Sequence, residues 1–203
     1  MKTDQDFLPL FNWLQKSDYY YGEINKGKEM ADLAHTERLS LSSNEIKELT
    51  PELGKMAALV KLDLSHNQLT KLPSEIGLLS NLIELSVIDN QLIELPPELG
   101  NSCSLECLWL YRNRIKEIPI ELCKSKSLEI LDLTSNQLVG LPQEIHKLKN
   151  LTCLYLRDNL LTHLPDEILE MPNLSSLDLR DNNINPHSPI LSKLKDRGVF
   201  VEI

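Results

Sequence analysis

The chain has 203 residues, 21 basic and 30 acidic, for a formal net charge of −9. Apolar residues at 41% and charged residues at 25% are ordinary globular usage and exclude a disordered chain. With no Lys/Arg-rich tract, nucleic acids and anionic membranes are poor partners, because phosphate-backbone affinity comes from basic residues that displace counterions.

Taken from the N-terminus, Met1-Lys2-Thr3-Asp4-Gln5-Asp6 carries acids where a secretory signal needs positive charge before an apolar block. Apolar runs stay far below the roughly 20 residues that cross a bilayer. Phe7, Leu8, Leu10, Phe11, Trp13 and Leu14 recur at helical spacing and predict a helix with one apolar face. Beyond Tyr19-Tyr20-Tyr21-Gly22, a second short helix is expected around residues 28–35.

From residue 36 the pattern changes: Asn44, Asn67, Asn90, Asn113, Asn136, Asn159 and Asn182 recur every 23 residues. The surrounding frame is Leu-x-x-Leu-x-Leu-x-x-Asn-x-Leu-x-x-Leu-Pro-x-Glu-Ile, complete from Leu59 to Ile76. The alternation of Leu62 and Leu64 predicts a short strand with one buried face. Each Asn falls where the chain turns, and its amide can satisfy backbone groups of its own coil and the next. Pro73, Pro96, Pro119, Pro142 and Pro165 mark an outer stretch in extended or turn geometry, where a missing N–H is tolerated. The recurring Glu52, Glu75, Glu98, Glu121, Glu144 and Glu167 form a solvated outer column. Residues 189–197 read as a helix closed by Gly198, followed by an extended 199–203.

One such coil cannot bury its own apolar edge, so the coils must stack into a solenoid with capped ends. The expected fold is an α/β repeat solenoid, a horseshoe with a concave parallel sheet and helical end caps. It divides into a cap at 1–35, seven repeats at 36–188 and a second cap at 189–203, one continuous domain with no segment left for separate catalysis. The frame resembles the leucine-rich repeat family from residue 36 to about 185. Its 23-residue form with Leu-Pro-x-Glu-Ile is similar to the intracellular Ras-group repeats and to stand-alone bacterial repeat proteins. The resemblance implies a cytoplasmic protein–protein interaction module that holds a protein partner on its concave face. Two alternatives rank behind it, a bacterial effector acting in the host cytosol and a regulatory scaffold for a GTPase or phosphatase. The chain departs from bacterial ubiquitin-ligase effectors, whose repeats are shorter and which add a Cys-based catalytic domain.

No G-x-G-x-x-G, P-loop, G-x-S-x-G or H-E-x-x-H motif occurs, so no catalytic residue, enzyme activity, cofactor or small-molecule substrate is expected. Asp63, Ser65 and His66 have catalytic residue types, but a sister repeat holds Asp132-Leu133-Thr134-Ser135 in the same slots, which reads as repeat variation. His66, His146 and His163 fall in different columns of the coil, so no metal site is expected. Cys103, Cys107, Cys123 and Cys153 form no C-x-x-C pair. Cys107 and Cys153 stand two coils apart, about 10 Å, which is too far for a disulfide and points to a reducing compartment. Asn150-Leu151-Thr152 and Asn173-Leu174-Ser175 match the glycosylation sequon.

Function is expected in the strand positions between the core leucines, which form three columns across the sheet. Trp109 and Tyr155 lie in the middle column with Asp132 between them, Ile130 lies in the first, and Ile88 and Tyr111 lie in the third. The other seven of the ten aromatics fall in the two caps. This apolar patch is flanked on the turn side by Arg112, Arg114, Arg157 and Arg180, with Asp132 and Asp178 beside the rings. An aromatic centre with an arginine rim is the composition of an interaction hot spot.

Overall fold

A computed structural model describes residues 8, 10, 12–14 and 33–203. Each repeat contributes one three-residue strand: β1 (Arg38–Ser40), β2 (Lys61–Asp63), β3 (Glu84–Ser86), β4 (Cys107–Trp109), β5 (Ile130–Asp132), β6 (Cys153–Tyr155) and β7 (Ser176–Asp178). An eighth, β8 (Phe200–Glu202), follows the C-terminal α-helix Pro189–Asp196. The strands lie side by side in chain order, all parallel, in one sheet. Within β1 to β7 every residue pairs with the one 23 positions on, so the three expected columns exist as real rows of neighbours.

The strands are short: each of β2 to β6 carries one buried leucine between two partly exposed residues, as Leu62 lies between Lys61 and Asp63. The chain then turns back over the core, burying Leu64, Leu69, Leu72, Ile76 and Leu79 of that coil. Each fully buried leucine contributes about 1.5–3 kcal/mol relative to an exposed one. The outer stretch, expected to be extended or turned, instead forms single 3-10 helices, such as Ser74–Leu78 and Gln143–Lys147. Pro73, Pro96, Pro142 and Pro165 sit just before four of these helices with extended backbone, where no N–H is required.

The asparagines bind the coils to one another. Asn67 accepts hydrogen bonds from the N–H groups of Asn44 and Ile46 in the preceding coil, at 3.1 and 2.9 Å. Its amide donates to the carbonyls of Leu41, Leu64 and Ser65. The same pattern continues through Asn90, Asn113, Asn136, Asn159 and Asn182. A second, partial ladder runs near the strand entrances. Asn81, Asn150 and Asn173 donate to Ala57, Lys126 and Lys149 of the coil before, so both sequon asparagines hold their side-chain N–H in structural bonds.

Immediately before each ladder Asn the backbone is left-handed: Ser43, His66, Asp89, Arg112, Ser135, Asp158 and Asp181 have φ between 52° and 59°. Such a conformation costs a non-glycine residue roughly 1–2 kcal/mol. It persists because it aims the residue's own N–H at the next coil, as with Arg112 to Thr134 at 3.0 Å and Asp158 to Arg180 at 2.9 Å.

At the N-terminal end Leu8, Leu10 and residues 12–14 are helical, with Leu10 and Leu14 buried in the common core beside Leu33 and with Trp13 packed against it. Leu8, expected on the apolar face, is 43% exposed. Phe7, Phe11, the Tyr19–Gly22 stretch and most of the second expected helix lie outside the described residues. At the other end the helix buries Ile190, Leu191 and Leu194 and stops at Gly198, whose φ of 83° only glycine adopts freely. That reversal lets β8 pair with β7, so the expected extended tail becomes part of the sheet.

Asp178, 5% exposed, accepts two bonds from the Arg180 guanidinium at 2.9 and 2.6 Å, and Arg180 reaches Glu202 of β8 at 3.2 Å. Burial by itself would raise the Asp178 pKa; the hydrogen bonds and charge of Arg180 outweigh it and hold the carboxyl below its ordinary 3.8. A depressed folded value means that this stabilisation is complete above the ordinary pKa and lost as pH falls through the folded one. Amide chemical shifts of β8 should therefore change below about pH 4 in the wild type. In Asp178→Asn that step should be smaller, because only Glu202 remains of the two carboxylates on Arg180, and matching profiles would remove the Asp178 carboxylate from the account.

Candidate functional site on the concave sheet

The register places Trp109, Asp132 and Tyr155 in one row, Cys107, Ile130 and Cys153 in the adjoining row, and brings Ile88 and Tyr111 just past the strand ends. All of them are partly buried, neither sealed in the core nor fully exposed. The leucines between them, Leu108, Leu131 and Leu154, point the other way and are completely buried. Strand alternation thus forces the intervening side chains onto the open face. The residues singled out in the sequence do not all behave alike, because their charges pair differently.

Arg157 donates through Nε to Asp181 at 2.8 Å, and Arg180 is committed to Asp178 and Glu202. Neither is the free rim cation its position suggested. Arg112 is exposed and lies over the Tyr111 ring, 5.0 Å from its centroid, and among the described residues no carboxylate pairs with it. Asp132 accepts from the Thr134 N–H at 2.9 Å and, among the described residues, has no cation partner. The Tyr155 phenol is pushed above its ordinary pKa, first by its hydrogen bond with Cys153, then by burial and the carboxylates of Asp132 and Asp178.

A cleft of about 640 Å³ opens over β1 to β3, and the sequence reading did not single it out. Ser40 donates to Asp63 at 3.2 Å, Ser65 and Ser86 hydroxyls meet at 2.8 Å, and Lys61 is bonded to Glu84. The signal was present in the same columns, as a run of serines where the later repeats place aromatics. The catalytic-looking trio breaks apart here. His66 holds Asp89 at 3.0 Å, Ser65 holds Ser86, and Asp63 accepts from Ser40 and from the Ser65 N–H. Among the described residues no three His, Cys, Asp or Glu side chains converge as a metal site.

All four cysteines are free. Burial raises the Cys107 thiol, with Glu84, Glu106 and Glu129 adding to the effect, and burial pushes Cys123 up to about 12. An aromatic disulfide reagent at pH 8 should titrate exposed Cys103 in the native protein and reach Cys123 only on unfolding; fast native reaction at Cys123 would contradict its burial.

Leucine-rich repeat models match residues 58–79, 103–143 and 126–184, and the chain belongs to the leucine-rich repeat family. Among solved structures it is similar to a leucine-rich repeat protein of Leptospira interrogans, with 35% identity over 86% of this chain and 50% of that one, TM-score 0.74. It is similar to a TDR receptor, with 37% identity over 79% of this chain and 29% of the receptor, TM-score 0.67. The plant peptide hormone receptor RGFR1 in complex with RGF2 matches at 32% identity over 86% of this chain and 29% of that one, TM-score 0.74. The chain therefore spans half or less of the length of these structures. No curated protein matches its sequence. Among the described residues no helix is long and apolar enough to cross a membrane.

Proposed function

We propose that the chain is a protein–protein interaction module whose concave face binds a protein partner through Trp109, Tyr111, Tyr155, Ile88 and Ile130. The observation that carries this reading is the partial burial of these side chains in adjoining rows of an open sheet whose other positions are mostly polar. Apolar groups held at a surface with rigid backbone beneath them lose little entropy on binding, and rings of this size bury roughly 150–250 Å² each. The family supports the reading, since its fold generally serves as an interaction scaffold rather than an enzyme, and one neighbouring structure is a receptor holding its peptide hormone. Four free thiols support a reducing compartment, the cytoplasm.

Affinity capture with wild type and with the Trp109→Ala, Tyr111→Ala, Tyr155→Ala triple variant tests it, after circular dichroism confirms that both are folded. The triple variant should retain a captured partner at least about 100-fold less tightly, as expected when several central aromatics are truncated. Equal capture by both proteins would move the site to the outer face or the caps.

A further inference from the structure

Trp109, Asp132 and Tyr155 occupy neighbouring positions on β4, β5 and β6, so two aromatic residues stand two strand spacings apart with a carboxylate between them. Two spacings are about 9.6 Å. Rings pair at centroid separations of roughly 4.5–7 Å, less than this interval between the two backbones. It is close to the width at which one flat or aliphatic group could rest against both rings at contacts of about 3.5–4 Å.

The charges around this slot are unequal. Asp178, one strand beyond Tyr155, is covered by Arg180, and Asp181 is held by Arg157. Asp132 has given up part of its hydration, keeps one backbone donor at 2.9 Å and, among the described residues, has no counter-ion. A carboxylate in that condition, with a ring on either side, is incomplete in one specific way: a cation entering between the rings would restore its charge balance and be attracted by both ring faces.

We propose that this slot receives a basic side chain of the protein partner, an arginine or a lysine, whose cation meets Asp132 while its body lies between Trp109 and Tyr155. This rests on the concave-face reading and adds the partner's chemistry to it. The chain's net charge of −9 favours the approach of a basic segment. Arg112 is already stacked on Tyr111 at the edge of the patch, and among the described residues no cation pairs with Asp132 in the slot.

The test is selection from a random displayed peptide library on the folded full chain, followed by titration of the selected peptides against wild type, Trp109→Ala and Asp132→Asn. Asparagine can still accept the Thr134 N–H, so Asp132→Asn should stay folded. Selected peptides should be enriched in arginine or lysine and should lose about tenfold or more in affinity to each variant. Replacing the peptide's arginine by citrulline should cause the same loss without touching the protein, and should cause little further loss in Asp132→Asn. Peptides that need Trp109, lack a basic residue and ignore Asp132→Asn would overturn the slot and leave the face reading standing. Binders indifferent to Trp109→Ala, or no binders at all, would overturn both.

Discussion

Replacing Asn113 by alanine should lower the stability of the solenoid by about 3–5 kcal/mol, a larger effect than most single substitutions produce. Its side-chain oxygen accepts the Leu92 N–H of the preceding coil at 3.0 Å, and its amide donates to the carbonyls of Val87 and Leu110 at 2.8 and 3.0 Å. The residue is 8% exposed, so alanine would leave the buried Leu92 N–H without a partner and without water, while the Val87 and Leu110 carbonyls would each lose one donor and keep Asn90 and Asn136 respectively. The orphaned donor costs roughly 1–3 kcal/mol and each of the two lost bonds about 0.5–1.5 kcal/mol, while a bond exposed to solvent is exchanged for one to water at little loss. Asn81→Ala supplies the control, because Asn81 is exposed and donates one bond, to Ala57. Urea titration should show a much lower midpoint for Asn113→Ala and a shift of about 0.5–1 kcal/mol for Asn81→Ala. Equal shifts would mean that stacking of leucines alone holds the coils together. Because neighbouring coils stabilise one another, amide exchange should also show the loss spreading from coils three and four rather than staying local.

Gly100→Ala should cost about 3 kcal/mol, for a reason that does not depend on hydrogen bonds. A Cβ at Gly100 would stand 2.1 Å from the Glu121 carbonyl oxygen and 2.4 Å from its carbon, both in the backbone of the next coil. Neither atom can swing aside as a side-chain tip could. Gly54 and Gly77 meet Glu75 and Glu98 in the same way, so glycine lets the outer turns of the first four coils stack with backbone against backbone. Gly140→Ala is the matched comparison: nothing lies within 4 Å of its added Cβ, and its φ is not left-handed. It should be neutral or gain about 0.4–1 kcal/mol from reduced freedom of the unfolded chain. If Gly100→Ala and Gly140→Ala melt alike, the close approach is not what sets the spacing of these coils.

Much of this architecture was legible because a repeat states its structure several times over. The 23-residue spacing of the asparagines and the Leu-x-Leu alternation were sufficient to place seven strands, their columns and the direction in which each side chain points. Trp109 and Tyr155 could be put in one row beside Asp132 before any coordinates, since parallel pairing in register follows from the period. Gly54, Gly77 and Gly100 also recur at that period, yet their meaning was not legible, because it depends on how near the next coil's backbone comes.

Sequence by itself therefore determined what periodicity and alternation control: the solenoid, the buried leucines, the bridging asparagines and the membership of the open face. Tertiary structure decided what depends on distances between coils and on individual side-chain placement. It turned Arg157 and Arg180 from a free rim into ion-paired residues, left Asp132 without a cation among the described residues, set the left-handed turn at Arg112, and carried the tail beyond Gly198 into the sheet as β8. The physical reason is one of range. A period fixes which backbone positions become neighbours, whereas the pairing of long charged side chains and the docking of a non-repeating end are settled by contacts that no single repeat contains.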